Sequence, residues 1–169
     1  VIGSTQRTTE MPEYRDLDEV FPGVDWDNRA RGLAATVERP LVSAGEENIL
    51  CLPGDRYHGE DILLHEFAHV LEQFAYPALD PDFDRRLDDA YAQAFADGVW
   101  DGTYAAENRS EYWAEGVQSY FGRNLVDAFP DGVHGPIGSA DALAAADPDL
   151  FALIDERLAG VGLPPRCAP

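Results

Sequence analysis

Between Ile62 and Phe74 every residue that is not His, Glu or Gln is apolar. Such a run predicts a buried helix, starting near Glu60 and ending before Pro77, whose ring and missing N–H oppose continuation. Phe83, Leu87, Ala90, Tyr91, Ala94 and Phe95 recur at helical spacing and predict a second helix, with Asp80 as its cap and Pro81 at its first position. A third is expected from Asn108 to Phe121, closed by Gly122. Ser139 and Asp147 are placed to cap two last helices, 140–146 and 149–159. Upstream the pattern is shorter. Tyr14, Leu17 and Phe21 share one face of a helix over 12–21, stopped by Pro22-Gly23. Residues 31–43 alternate enough for one or two strands, with Pro40 marking an edge. Asn48 to Leu52 form a compact apolar run ended by the Pro53-Gly54 turn, and residues 1–10 read as a polar arm. The sum is a helix-rich α+β chain, with a small sheet before the first long helix.

Composition narrows this further. A length of 169 residues suits one domain spanning the chain, and 45% hydrophobic residues are enough for a core. The formal charge is −20, and every base among the 12 is Arg. That field opposes nucleic acid and anionic membranes as partners, and its acidic walls favour basic ligands. No apolar run reaches the roughly 20 residues of a membrane span. The chain opens on Val1 without a visible signal peptide, as a mature or trimmed form would. A monomer is expected.

Chemistry enters through "HEFAH". His65 and His69 are four apart, so both imidazoles point from one helix face toward a shared ion. Glu66 is rotated from His65 by about 100°, within reach of a water on that ion. This is the HExxH arrangement of two zinc ligands and a general base. Two core histidines with structural partners are the plainer alternative, but buried imidazoles in so apolar a helix need such partners.

The third ligand separates the subclasses. A metzincin needs Gly three positions after the second His and another His three further on; Glu72 and Ala75 stand there. An aspartate ligand following a Gly-Thr pair, as in deuterolysins, is not matched after Gly102-Thr103, where Tyr104 and Ala105 follow. A glutamate on a second helix fits the 108–121 segment. Glu111 and Glu115 are four apart; Glu111 is the preferred ligand, and Glu115 sits behind a histidine or near the base. Tyr112, Trp113, Val117, Tyr120 and Phe121 leave little of that helix for water. Tyr57 and His58 precede the metal helix and are candidates to line its cleft; His58 reads as a surface or capping residue. His134 lacks a partner at ligand spacing.

With "HEFAH" followed by "YAAENRSEYWAEGVQSYF", residues 62–121 resemble the catalytic domain of anthrax lethal factor and its bacterial relatives. That family carries HEFGH and then a Y-x6-E-[FY]-[FW]-A-E pattern. Tyr104 to Glu111 has the spacing, Glu115 completes it, and Ala68 replaces a Gly. The resemblance implies a zincin-like, gluzincin-type fold, and a Tyr104 phenol that donates its proton to the oxyanion. By residue pattern alone, Tyr104 is a tyrosine in the loop entering the ligand helix.

Together these residues predict a zinc metalloendopeptidase acting on a peptide or protein, with Glu66 and Tyr104 catalytic. A catalytically silent binding module and a zinc hydrolase of non-peptide bonds remain the alternatives. Cys51 and Cys167 are the only cysteines and have no CxxC neighbour, so a disulfide between them, in a secreted protein, is expected. Closing so long a loop stabilises by up to about 4–5 kcal/mol in the chain-entropy model. Thiol titration of the unfolded, unreduced protein should find no free thiol; two reactive thiols would exclude the bridge.

Overall fold

Short elements precede long ones. The computed structural model describes residues 1–165. Single 3-10 turns at Thr8–Glu10 and Pro12–Tyr14 lead into α1 (Leu17–Val20) and α2 (Trp26–Arg29). Strands β1 (Gly32–Leu33) and β2 (Ser43–Ala44) follow, then α3 (Glu46–Ile49). The long helices are α4 (Ile62–Val70), α6 (Phe83–Ala96), α7 (Arg109–Tyr120) and α9 (Pro148–Leu158), with α5 (Tyr76–Leu79) and α8 (Ala140–Ala146) between them. The class is α+β.

The strands pair antiparallel, Gly32 opposite Ala44 and Leu33 opposite Ser43. On the other side of β2, Ile2 bridges Gly45 in parallel, donating to the Ala44 carbonyl at 3.0 Å and accepting from Glu46 N–H at 2.8 Å. Residues 1–10 are therefore packed rather than an arm. Ile2 is fully buried with Met11, Tyr14 and Leu17 in a small apolar cluster. Among the described residues no third strand pairs with β1, which leaves β1 as the edge. The helix expected over 12–21 is divided into a 3-10 turn and α1, and Phe21 is exposed. Asn48, at the start of the 48–52 apolar run, lies in α3, where its side chain donates to the Glu60 carbonyl and accepts from Ile62 N–H.

The histidine helix does not stop before Pro77. After α4 the chain makes one π turn, Leu71–Ala75, and α5 resumes with Pro77 in its first turn. A π turn widens the helix, and a restarted first turn requires no N–H from proline. Within that turn Glu72 is fully buried. Its carboxylate is ion-paired with Arg109 and accepts from Ser110 Oγ at 3.1 Å, so the π turn is bound to the start of α7. Asp80 is not the cap of α6; Asp82 occupies that position without a side-chain cap bond, and Asp80 instead pairs with Arg86 and Arg157.

The main core lies where α4, α6, α7 and α9 meet. Trp113 is fully buried, edge-on to Tyr76 and Phe83, and donates its indole N–H to the Ala68 carbonyl at 3.0 Å. The buried Asp147 accepts from Trp100 and Tyr112 while capping α9 at Leu150 N–H. α9 approaches α7 at Gly116, where a Cβ would lie 2.5 Å from Leu150 Cδ2. No helix among the described residues is long and apolar enough to cross a membrane.

Removing one partner of a buried ion pair strands the other charge. Arg109→Ala should lower unfolding stability by about 3 kcal/mol. Arg85→Ala breaks only exposed pairs with Asp82 and Asp89 and should cost under about 1 kcal/mol. Urea denaturation of both variants checks the contrast.

Candidate metal centre

Three ligand atoms converge from two helices. α4 begins at its cap Asp61, whose carboxylate accepts from Leu64 N–H at 3.0 Å, and presents His65 and His69 one turn apart. α7 begins at Asn108, whose side chain accepts from Ser110 and Glu111 N–H groups at 2.9 and 3.0 Å. That cap sets Glu111 in the first turn, facing α4. His65 Nε2 lies 3.2 Å from His69 Nε2 and 3.0 Å from Glu111 Oε2, and His69 Nε2 lies 3.4 Å from the same oxygen. These are the residues that, among those described, are grouped closely enough to hold one metal ion.

The separations can be tested against a metal's needs. Three zinc bonds of 2.0–2.1 Å at the tetrahedral angle put ligand atoms about 3.3 Å apart. The protonation pattern points the same way. Gln118 Nε2 donates to the Asp61 carbonyl at 3.1 Å, which turns its Oε1 toward His65 Nδ1, 2.8 Å away. An amide oxygen only accepts, so Nδ1 carries the proton and neutral His65 presents a lone pair at Nε2. Lone pairs of an imidazole and a carboxylate facing each other at 3 Å require a cation or a proton between them. The residues fit a divalent metal of the zinc type.

Electrostatics without the ion reflect that requirement. Burial works against the charged form of His65, but hydrogen bonds to Glu111 and Glu115 outweigh it and raise its pKa well above the usual value. Burial likewise raises Glu111, and the hydrogen bonds of His65 and His69 overcome it and hold the carboxyl far below its ordinary range. Glu66 is raised, first by burial, while the charges of His65 and His69 pull it back.

Glu66 sits beneath the sheet edge. A Cβ on Gly32 would lie 2.5 Å from Ile62 Cγ2 and 3.1 Å from Glu66 Oε1, so β1 crosses α4 at the closest approach a backbone allows. Tyr104 comes from a 3-10 turn, Tyr104–Ala106, just before α7. Its hydroxyl donates to Glu111 Oε1 at 3.1 Å, and its ring stacks on His65 with centroids 6.4 Å apart. Burial and the Glu111 charge both raise the phenol's pKa, which keeps it a proton donor.

His65, Glu66, His69, Tyr104 and Glu111 are thus brought together. Glu115 is buried behind His65, its Oε1 3.4 Å from Nδ1 and its Oε2 accepting from Asn124. Gln118, at 2.8 Å, is the closer partner of that nitrogen and is not among the expected residues. Its signal is present in the sequence, since 111, 115 and 118 follow the i, i+4, i+7 spacing of one helix face. His69 Nδ1 is buried without a hydrogen-bond partner among the described residues. His58 is exposed, and Tyr57 directs its hydroxyl to the Arg29 carbonyl at 3.3 Å. His134 lies between Asp131 and Glu60, outside the cluster. The expected Cys51–Cys167 bridge ends on a residue outside the described ones.

No family model, curated protein or solved structure matches the chain, so the site is read from its own geometry. Elemental analysis of His69→Ala should show metal largely lost, and full retention would remove the ligand assignment. Gln118→Ala should keep the fold and weaken metal affinity roughly 10–100-fold, the usual effect of losing a ligand's outer partner. Chelator competition measures it.

Proposed function

We propose that this protein is a zinc-dependent peptidase with His65, His69 and Glu111 as metal ligands and Glu66 as general base. The observation that carries the proposal is the convergence of three ligand atoms at 3.0–3.4 Å beside a half-buried carboxylate. A zinc ion held there with an open position polarises a carbonyl and acidifies a bound water when present.

The chain's own residues divide the remaining work. Glu66, raised above an ordinary carboxyl by burial, is a stronger base than one in water. It accepts the attacking water's proton and delivers it to the leaving amine. The Tyr104 phenol leaves Glu111 Oε1 and donates instead to the oxyanion that develops at the carbonyl. Gln118 keeps the His65 proton on Nδ1, which leaves Nε2 for the metal. The β1 edge beside Glu66 offers backbone groups on which an extended peptide can pair. That edge supports a peptide or protein substrate, and the cysteine pair supports a secreted location.

A quenched peptide library tests the proposal. Metal-dependent cleavage supports it. Peptide binding without turnover would favour a silent binding module, and neither binding nor cleavage would favour a non-peptide hydrolase. Glu66→Gln should retain zinc and fold but lose at least about 10²–10⁴-fold in rate. Tyr104→Phe should also retain zinc and lower kcat with little change in KM, since the phenol acts mainly in the transition state. Wild-type hydrolysis by Glu66→Gln would sink the assignment.

A further inference from the structure

The loop over residues 126–135 touches two parts of the candidate site at once. Its tip is a tight turn organised by Asp131, whose Oδ1 accepts from Val133 and His134 N–H groups at 2.8 and 2.7 Å. The backbone of that turn holds the segment bearing Tyr104: Tyr104 N–H donates to the Val133 carbonyl at 2.8 Å, and Gly132 N–H donates to the Gly102 carbonyl at 2.9 Å. The approach is close. Gly102 has a left-handed φ of 73° and lies against Pro130, and a Cβ on Gly135 would lie 2.8 Å from Thr103 Cγ2.

The same turn reaches the start of the metal helix through one side chain. His134 Nδ1 lies 3.2 Å from Asp131 Oδ2, and Nε2 lies 3.1 Å from Glu60 Oε1. Glu60 is buried and immediately precedes Asp61, the cap of α4; its own carbonyl accepts from Asn48 in α3 at 2.9 Å. Each imidazole nitrogen therefore faces a carboxylate, one in the loop and one on the approach to α4. His134 and Glu60 are used by neither the metal ligands nor the proton path.

We propose that His134 is a positioning residue: with Asp131 and Glu60 it fixes the 131–135 turn to the start of α4 and so sets where Tyr104 stands relative to His65 and Glu111. The catalytic consequence rests on the peptidase proposal; the placement of Tyr104 does not. Two carboxylates gripping one imidazole resist rotation about either contact, and charge-assisted bonds are the stronger kind. The phenol must leave Glu111 and meet an oxyanion, and small displacements of such a donor are costly to rate. A turn held only by its two backbone bonds to 102 and 104 would let that donor wander.

The experiment needs His134→Ala, Glu60→Gln and the Tyr104→Phe background. Amide hydrogen exchange of the full chain, with and without added zinc, reads placement independently of activity. Exchange at Tyr104 and Gly132 should quicken at least about tenfold in both loop variants, with Leu64 and His65 in α4 unchanged. Unchanged exchange at Tyr104 and Gly132 overturns the proposal, whether or not the protein cleaves peptides. Where His134→Ala fails to fold, Glu60→Gln alone decides. In the cleaving enzyme, each loop variant should lower kcat roughly tenfold with KM and zinc content kept, and should cost nothing further once Tyr104 is Phe. Full additivity with Tyr104→Phe also overturns it. A wild type without turnover removes the peptidase reading and leaves the exchange result to stand by itself.

Discussion

The contact on which the site depends is the packing of α4 against α7, which brings electron pairs together in a largely buried region. Residues 112–119 of α7 are buried throughout, and His65 and His69 are buried on α4. At that depth lone pairs 3 Å apart are not screened by solvent, so their arrangement is tolerable only with positive charge between them. The cost of assembling Glu111 and the two imidazoles is offset by apolar contacts elsewhere on the same faces: Ala68 beneath Trp113, and Trp113 between Tyr76 and Phe83. The core holds the ligand atoms in place, and the proposed ion relieves the repulsion the core creates.

Around that contact, three devices hold the converging side chains in place, two of them tying one helix to the other. Asn108 closes the first turn of α7 at Glu111. Glu72, in the π turn after His69, pairs with Arg109 two residues before Glu111. Gln118 bridges His65 to the carbonyl of Asp61, so the far end of the α7 face meets the beginning of α4. Sliding one helix by a residue would break the Glu72–Arg109 and Gln118 ties together, while the Asn108 cap, internal to α7, fixes where Glu111 sits on its own helix. The strand above Glu66 adds a fourth constraint, because Gly32 leaves no room for a side chain between β1 and α4.

The long helices and the ligand set are legible in the sequence because both rest on helical periodicity. His65, His69 and Glu111 with Glu115 announce themselves by four-residue spacing, and Asn108, Ser139 and Asp147 by the chemistry of caps. What periodicity does not carry is less visible. The π turn through Leu71–Ala75 has no signature of its own; Pro77 reads as a stop, and neither its place in a restarted first turn nor the buried Glu72–Arg109 pair is visible beforehand. The N-terminal residues read as an arm because one apolar residue, Ile2, carries their burial and the pairing with β2 is made by backbone. Spacing puts Gln118 on the face of Glu111 and Glu115, but an amide there looks neutral until its partner, 53 residues away, is known. His134 was hidden for the same reason, with Glu60 lying 74 residues before it.

The net charge of −20 bears on this site less than its size suggests. Exposed charges more than about 8 Å away are largely screened at physiological ionic strength, and the exposed acids Asp84 and Asp88 of α6 are already paired with Arg109. The nearest groups decide the local field. In the proposed site, two imidazole ligands and one carboxylate would leave a divalent ion with an uncompensated positive charge. Glu66 beside it and Glu115 behind His65 are the carboxylates that answer that charge. Unit charges about 4 Å apart interact by about 4 kcal/mol at the effective dielectric of a protein surface, and more where the surroundings are drier. The inner acids thus have a local electrostatic purpose in the proposed site, and they are already committed to it. A preference for basic substrates would need further carboxylates free at the β1 edge. The backbone of Gly32 and Leu33 forms that edge with the Glu66 carboxyl beneath it, so in the proposed site peptide recognition there rests first on main-chain hydrogen bonding.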